Sequence, residues 1–210
     1  MFLICPNCGE HRPDRVVDPA GPVSICPVCG HRRSFVRRPL LVVGGASGSG
    51  KSTLCQALLG RVSGGVLLDS DLLWRPEFNT PDTGYAEFFE TWLRLTVAIH
   101  QSTGPVILFG AGFGVPTNLE GRLHRRYVGR IHYLALICPD DVLAQRLRAR
   151  PAWRGAGGDD FVQGQVGFNR WLRTEGPRAA VDYALVDTQV HDVGRAAAQV
   201  AQWIEAHLVG

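Results

Sequence analysis

The residues Gly45-Ala46-Ser47-Gly48-Ser49-Gly50-Lys51-Ser52 form a complete phosphate-binding loop, and Lys51 is the single lysine among 22 lysine and arginine residues. Such a loop needs a compact ammonium that reaches between two phosphates, a slot too narrow for a forked guanidinium. The glycines at 45, 48 and 50 let the backbone turn so that successive N–H groups converge on phosphate oxygens at a helix N-terminus. Ser52 is then placed to ligate Mg²⁺, with Ser47, Ser49 and Thr53 completing the nucleotide contacts. A second pair of groups, Asp69 and Asp71 in Leu67-Leu68-Asp69-Ser70-Asp71, would lie near the transferable phosphate. One carboxylate can hold Mg²⁺ through its water shell, and the other can take the proton of an attacking hydroxyl. The competing reading is an aspartate capping the next helix.

Four of the six cysteines fall as Cys5-x2-Cys8 and Cys26-x2-Cys29, with 17 residues between the pairs. This is zinc-ribbon spacing, and four thiolates complete a Zn²⁺ tetrahedron without help from His11 or His31. The halves repeat, Cys5-Pro6-Asn7-Cys8-Gly9 against Cys26-Pro27-Val28-Cys29-Gly30. Residues 1 to 38 carry six arginines and three acids, a formal +3, so residues 39 to 210 balance at zero. Four thiolates on one Zn²⁺ reduce the folded ribbon to about +1, a weak footprint for nucleic acid. A structural cap or partner-docking module is therefore favoured over nucleic-acid binding, with Arg32, Arg33, Arg37 and Arg38 the residues that would line a basic edge.

The elements that must position these groups read as short apolar runs alternating with helical patterns, which implies a parallel sheet with crossover helices. Strands are expected at 39–44, 65–69, 105–109, 130–138 and 182–187, and helices near 51–60, 84–101, 118–127, 140–149, 161–174 and 192–208. Ligands gather at the carboxyl ends of such strands, with the paired acids on the strand neighbouring the loop. The 105–109 strand ends in Gly110-Ala111-Gly112-Phe113-Gly114 with no acid, which disfavours a motor or switch ATPase. Those glycines, Gly112 among them, would let backbone amides approach an acceptor. Arg146, Arg150 and Arg154 recur every four residues before a glycine-rich stretch, the pattern of a lid, centred on about 150–160, that closes over phosphates. Such a stripe is also a common solvated helix face. Arg122, Arg125 and Arg126 could grip an acceptor phosphate or lie on the surface.

Composition, with 45% hydrophobic residues, supports one ordinary domain plus an appendage. No stretch approaches a membrane span and no export signal is evident, so a cytoplasmic protein is the default expectation.

On these motifs residues 39–210 resemble the P-loop kinase superfamily, nearest the shikimate, gluconate and nucleoside or nucleotide kinase branches, and are also similar to chloramphenicol phosphotransferase. Asp-Ser-Asp at 69–71, the glycine run at 110–114, Arg150-Pro151 and Val186-Asp187-Thr188 match in kind and order. The resemblance implies an α/β P-loop three-layer sandwich with a five-stranded parallel sheet behind the four-cysteine zinc ribbon. It further implies ATP with Mg²⁺, Asp71 as the acceptor-side base, Asp69 near the metal and Arg146 or Arg150 as a lid arginine. The segment from Asp187 and Thr188 would then form a wall of the adenine pocket. Shikimate kinases carry an arginine in the helix after the second strand, where this chain has Phe88. With Trp74 nearby, the acceptor side suits a flat ring such as a nucleobase. Against this, Tyr85, Phe88, Phe89, Trp92 and Ile99 keep helical spacing and most of such a stripe is core. The expected activity is ATP-dependent phosphoryl transfer to a small nucleoside- or nucleotide-like acceptor. A polynucleotide 5′-hydroxyl kinase and a slow, non-catalytic regulatory module are the alternatives.

Overall fold

The computed structural model describes residues 3–151, 157–189 and 192–208. Arg154 and the middle of the expected lid, residues 152–156, lie outside the described residues. Eight strands and seven α-helices follow one another among the described residues, the first three strands being β1 (Val16–Val17), β2 (Val23–Ile25) and β3 (Arg32–Ser34). They form a small antiparallel sheet in the order β1-β2-β3. The remaining strands are β4 (Leu40–Gly45), β5 (Val66–Asp69), β6 (Val106–Phe109), β7 (Ile131–Ile137) and β8 (Tyr183–Asp187). These five are parallel and ordered β5-β6-β4-β7-β8.

Period-two alternation of apolar side chains explains why this sheet is covered on both faces. Leu40 and Val42 pack on one side with Val106, Leu108 and Tyr133. Leu41 and Val43 pack on the other with Ile107, Phe109 and Leu134. The first face is closed by α2 (Ala86–Ser102) through Phe88, Trp92, Leu93 and Val97. The second is closed by α1 (Lys51–Leu58) and α7 (Val193–Leu208), through Leu54, Leu58, Val200 and Ile204. A short α6 (Gly176–Ala179) precedes β8. The result is the expected three-layer sandwich, and each predicted strand of the sheet begins one residue from its observed start.

Two expectations are corrected. The strand that carries the aspartates is not the neighbour of the loop strand, because β6 lies between β4 and β5. The continuous helix expected at 118–127 is instead α3 (Thr117–Glu120), then a break at Gly121 and Arg122, then a 3₁₀ turn at Leu123–Tyr127. Arg122 is extended at φ −85° and ψ 150°. The largely buried Glu90 carboxylate accepts from the backbone N–H groups of Leu123 (2.9 Å) and His124 (3.1 Å), capping the second segment. It also bonds His124 Nδ1. Burial pushes the Glu90 pKa up, but these hydrogen bonds outweigh it and hold the group below its ordinary value.

The N-terminal unit is built on two knuckles with matching hydrogen bonds. Cys5 N–H donates to Glu10 O and Gly9 N–H to Cys5 O, and Cys26 N–H donates to His31 O and Gly30 N–H to Cys26 O. This unit packs on the C-terminal end of α2 and on the 123–127 turn. Gln101 holds the Val36 backbone through both its amide groups, at 2.8 Å each, and Phe35 meets Tyr127 edge-on at 5.3 Å. Three of the arginines that could have formed a basic edge are engaged in this contact or within the ribbon. Arg38 donates to His100 O (2.9 Å), Arg37 to Arg126 O (3.3 Å), and Arg32 pairs with Asp18. Their use as structural donors leaves the nucleic-acid reading of the ribbon without support.

Candidate active site

The chain leaves β4 through Gly45, whose φ of 153° is one that side-chain-bearing residues rarely adopt. A Cβ there would lie 2.4 Å from Ser49 Oγ and 2.9 Å from Leu136 O. The loop then enters α1 at Lys51, and Gly50 offers no side-chain cap to the first helical amides. Those donors, and the positive end of the helix dipole, open toward a cavity of about 540 Å³. Ser47, Gly48, Gly50, Lys51, Ser52 and Thr53 line one side of it. Arg146, Arg150 and Thr188 line it as well.

Lys51 Nζ donates to Gly45 O (2.7 Å) and Ala46 O (3.0 Å). Its burial pushes the pKa down from 10.5 to about 8, against the opposing pull of Asp71 and Asp69. A half-buried ammonium, a fan of backbone donors and two arginines form a donor set suited to a triphosphate, and Ser52 is among the wall hydroxyls that could hold a magnesium ion beside it. Ser47 and Arg150 are joined by a hydrogen bond of 3.4 Å, and Arg146 holds Thr188 through its Oγ1 (3.0 Å) and carbonyl (3.1 Å). Only Arg146 is on α4 (Asp140–Arg148); the helix ends before Arg150.

Several sequence-predicted contacts fall elsewhere. Ser49 is fully buried and its hydroxyl packs under the loop, so its side chain does not line the cavity. The Asp187 carboxylate accepts from Gln189 N–H (2.8 Å), closing the turn after β8. Gly45 contributes its carbonyl to Lys51 and not a wall. Asp69 lies off the cavity, and its carboxylate accepts from Asp71 N–H (3.0 Å), capping the 3₁₀ turn at Ser70–Leu73. This is the capping use of aspartate, and it fixes the backbone that carries Asp71.

Asp71 lines both this cavity and a second one of about 260 Å³. The second cavity is walled by Trp74, Tyr85, Phe88, Phe89 and Phe113, with Gly112 beside them. Trp74 meets Phe88 edge-on at 5.2 Å, and Phe89 meets Phe113 at 4.9 Å. Tyr85 is the one described non-glycine residue with positive φ, at 58°, and is held there by its N–H bond to Thr80 O. The stripe on α2 thus divides: Phe88 and Phe89 serve both core and cavity, while Trp92 is buried in the core.

The glycines after β6 serve chain packing more than amide approach to an acceptor. Gly114 rests on Gly44, where a Cβ on Gly44 would lie 2.8 Å from Gly114 Cα, and a Cβ on Gly110 would lie 2.6 Å from Ser70 Oγ. Neither expected acceptor arginine reaches the cavity. Arg122 donates to Asn118 O (3.0 Å), and Arg126 donates to Leu123 O (2.9 Å) and to Arg15 O of the ribbon (3.0 Å).

Sequence reasoning missed Gln165 and Asn79. Gln165, on α5 (Asp159–Thr174), accepts from the loop N–H of Ser47 at 2.7 Å. Asn79 lines the second cavity from a segment with no periodicity to reveal it. Among the described residues the metal-ligand cluster is Cys5, Cys8, Cys26 and Cys29, whose sulfurs all lie within 4.8 Å of one another. The Cys5–Cys29 and Cys8–Cys26 separations are 3.7 and 3.8 Å. Zn–S bonds of about 2.3 Å in a regular tetrahedron put sulfurs about 3.8 Å apart, so the set fits zinc.

No model of a known protein family and no curated relative matches this sequence. Solved structures do. A sugar kinase from Janibacter sp. HTCC2649 superposes with a TM-score of 0.55 at 16% identity, covering 80% of this chain and 95% of that one. Shikimate kinase from Bacteroides thetaiotaomicron gives 0.53 at 20% identity, covering 79% and 97%. The tunicamycin resistance protein of Deinococcus radiodurans gives 0.53 at 19% identity, covering 80% and 96%. The chain therefore has the P-loop kinase fold. No helix among the described residues is long and apolar enough to cross a membrane.

Proposed function

We propose that the protein is a P-loop kinase that moves the γ-phosphoryl group of ATP to a hydroxyl of a small, ring-bearing acceptor. The observation that carries this reading is that one carboxylate, Asp71, lines both the phosphate-binding cavity and the adjoining aromatic one. An acceptor hydroxyl bound in the second cavity meets a base at the boundary with the donor.

In this reading Lys51 and the loop amides hold the β- and γ-phosphates, and Arg146 and Arg150 offset charge on the transferring group. Asp71 accepts the hydroxyl proton as the oxygen bonds to the γ-phosphorus. The bond from that phosphorus to the β,γ-bridging oxygen breaks, and its electron pair leaves with ADP. Ser52 would hold the magnesium ion, which when bound would supply positive charge to the phosphate oxygens, and Asp69 positions Asp71. Residues 1–38 act as a zinc-bound brace for the phosphotransferase unit of residues 39–210.

The test is incubation of the protein with γ-labelled ATP, Mg²⁺ and separate pools of nucleosides, nucleotides, sugars, antibiotics and 5′-hydroxyl oligonucleotides. Label entering a small-molecule pool supports the reading. Slow release of free phosphate at one rate with every pool contradicts it and favours a regulatory module.

A further inference from the structure

The aromatic cavity is lined by one charged side chain, the Asp71 carboxylate, and by no cation among the described residues. Among the described residues, the arginines of the 122–126 segment are bonded elsewhere. Arg122 is bonded to Asn118 O, and Arg126 to Leu123 O and Arg15 O. Arg125 is bonded to Glu120, Val128 O and Gly129 O. Arg75 lies over the Phe78 ring, 4.8 Å from its centroid, and approaches Glu77 at 3.9 Å, with its side chain 66% exposed. Lys51, Arg146 and Arg150 line the donor cavity.

We propose, on the kinase reading above, that the acceptor is an uncharged aromatic or heteroaromatic alcohol, and that compounds bearing a carboxylate or phosphate are rejected. Two physical arguments converge. An acceptor anion would enter a site whose walls are five aromatic rings, where its desolvation finds no bidentate donor in return. It would also stand beside Asp71, and two like charges about 6 Å apart at an effective dielectric near 20 disfavour each other about a hundredfold. A neutral ring loses neither. It gains offset or edge-on contact with Trp74 and Phe88, already mutually perpendicular at 88°. The carboxamide of Asn79, the polar group at the exposed rim, offers one donor and one acceptor to a heterocycle or amide edge. A cavity of about 260 Å³ is at the small end for ligand sites, which suits a single ring system with a hydroxyl-bearing arm.

The experiment uses the full chain, γ-labelled ATP and Mg²⁺ with two acceptor pools matched for ring size. One contains adenosine, thymidine and ring-substituted phenylethanols; the other contains their phosphate- and carboxylate-bearing counterparts. The expected result is label in the uncharged pool, with kcat/KM on the order of a hundredfold above the anionic counterpart. Equal or faster labelling of the anionic pool overturns the proposal and leaves the kinase reading standing. Label in neither pool, with ATP still bound, overturns the proposal, and the kinase reading falls with it when the sugar and antibiotic pools also stay unlabelled. Asn79→Arg, at an exposed position that spares the fold, is expected to shift the uncharged-to-anionic ratio of kcat/KM downward by at least about tenfold. An unchanged ratio would remove this cavity as the acceptor site.

Discussion

Nucleotide binding should draw a proton onto Lys51. Burial lowers the pKa of this ammonium from 10.5 to about 8, so at pH 8 it is protonated in about half of the free molecules. Contact with a triphosphate favours the charged form and returns the pKa toward or above its ordinary value. Each nucleotide bound therefore takes up about half a proton at pH 8, about 0.1 at pH 7 and about 0.9 at pH 9. The sign also sets the affinity: because the complex holds the proton that the free protein releases, Kd for ATP rises as pH climbs above 8. It should do so by about tenfold per unit until the pKa of the complex is reached. Phosphate groups with a second pKa of about 6 are largely ionised by pH 8 and do not supply this uptake. Calorimetric titration with ATP in buffers of different ionisation enthalpy reads the uptake directly as the slope of the observed enthalpy. A slope of zero at pH 8, or a Kd flat between pH 7 and 9.5, would refute the reasoning. Uptake that persists in Lys51→Met would assign the proton to another group.

Gly45→Ala should cost about 3 kcal/mol of stability, since it combines a disfavoured φ with contact against Ser49 Oγ and the Leu136 carbonyl; chemical denaturation measures it, and a loss below about 0.5 kcal/mol would contradict the packing. Metal analysis should find one zinc per chain, and chelation should lower the melting temperature because the ribbon docks on Gln101 of α2 through the Val36 backbone and on Tyr127 through Phe35. An unchanged melting curve after complete metal removal would contradict the bracing role.

The phosphate loop, the cysteine knuckles and the positions of the strands along the chain were legible because each is set by local sequence, whereas the place of β6 between β4 and β5 is not. Gly45 to Ser52 needs only its own glycines and the strand before it, and the alternation of Leu40 to Val43 assigns both sheet faces. What was not legible depends on residues distant in the chain. The break in the 118–127 segment is stabilised by Glu90, which lies 33 residues before Leu123. Arg126 is turned from the cleft by the carbonyl of Arg15, 111 residues away, a partner no helical pattern could announce. Gln165 reaches the loop amide of Ser47 across 118 residues. The sequence offers the two aspartates either as a functional pair or as caps, and their local geometry divides the roles, since the Asp69 carboxylate caps the turn and Asp71 is the one of the two that lines the cavities.

The most direct measurement compares phosphoryl transfer and ATP binding in wild type and Asp71→Asn, on whichever acceptor the label identifies. The account predicts that kcat falls by about 10²- to 10⁴-fold while Kd for ATP stays within about threefold, because asparagine keeps the shape of the side chain and loses the base. Transfer at the wild-type rate in Asp71→Asn would contradict it.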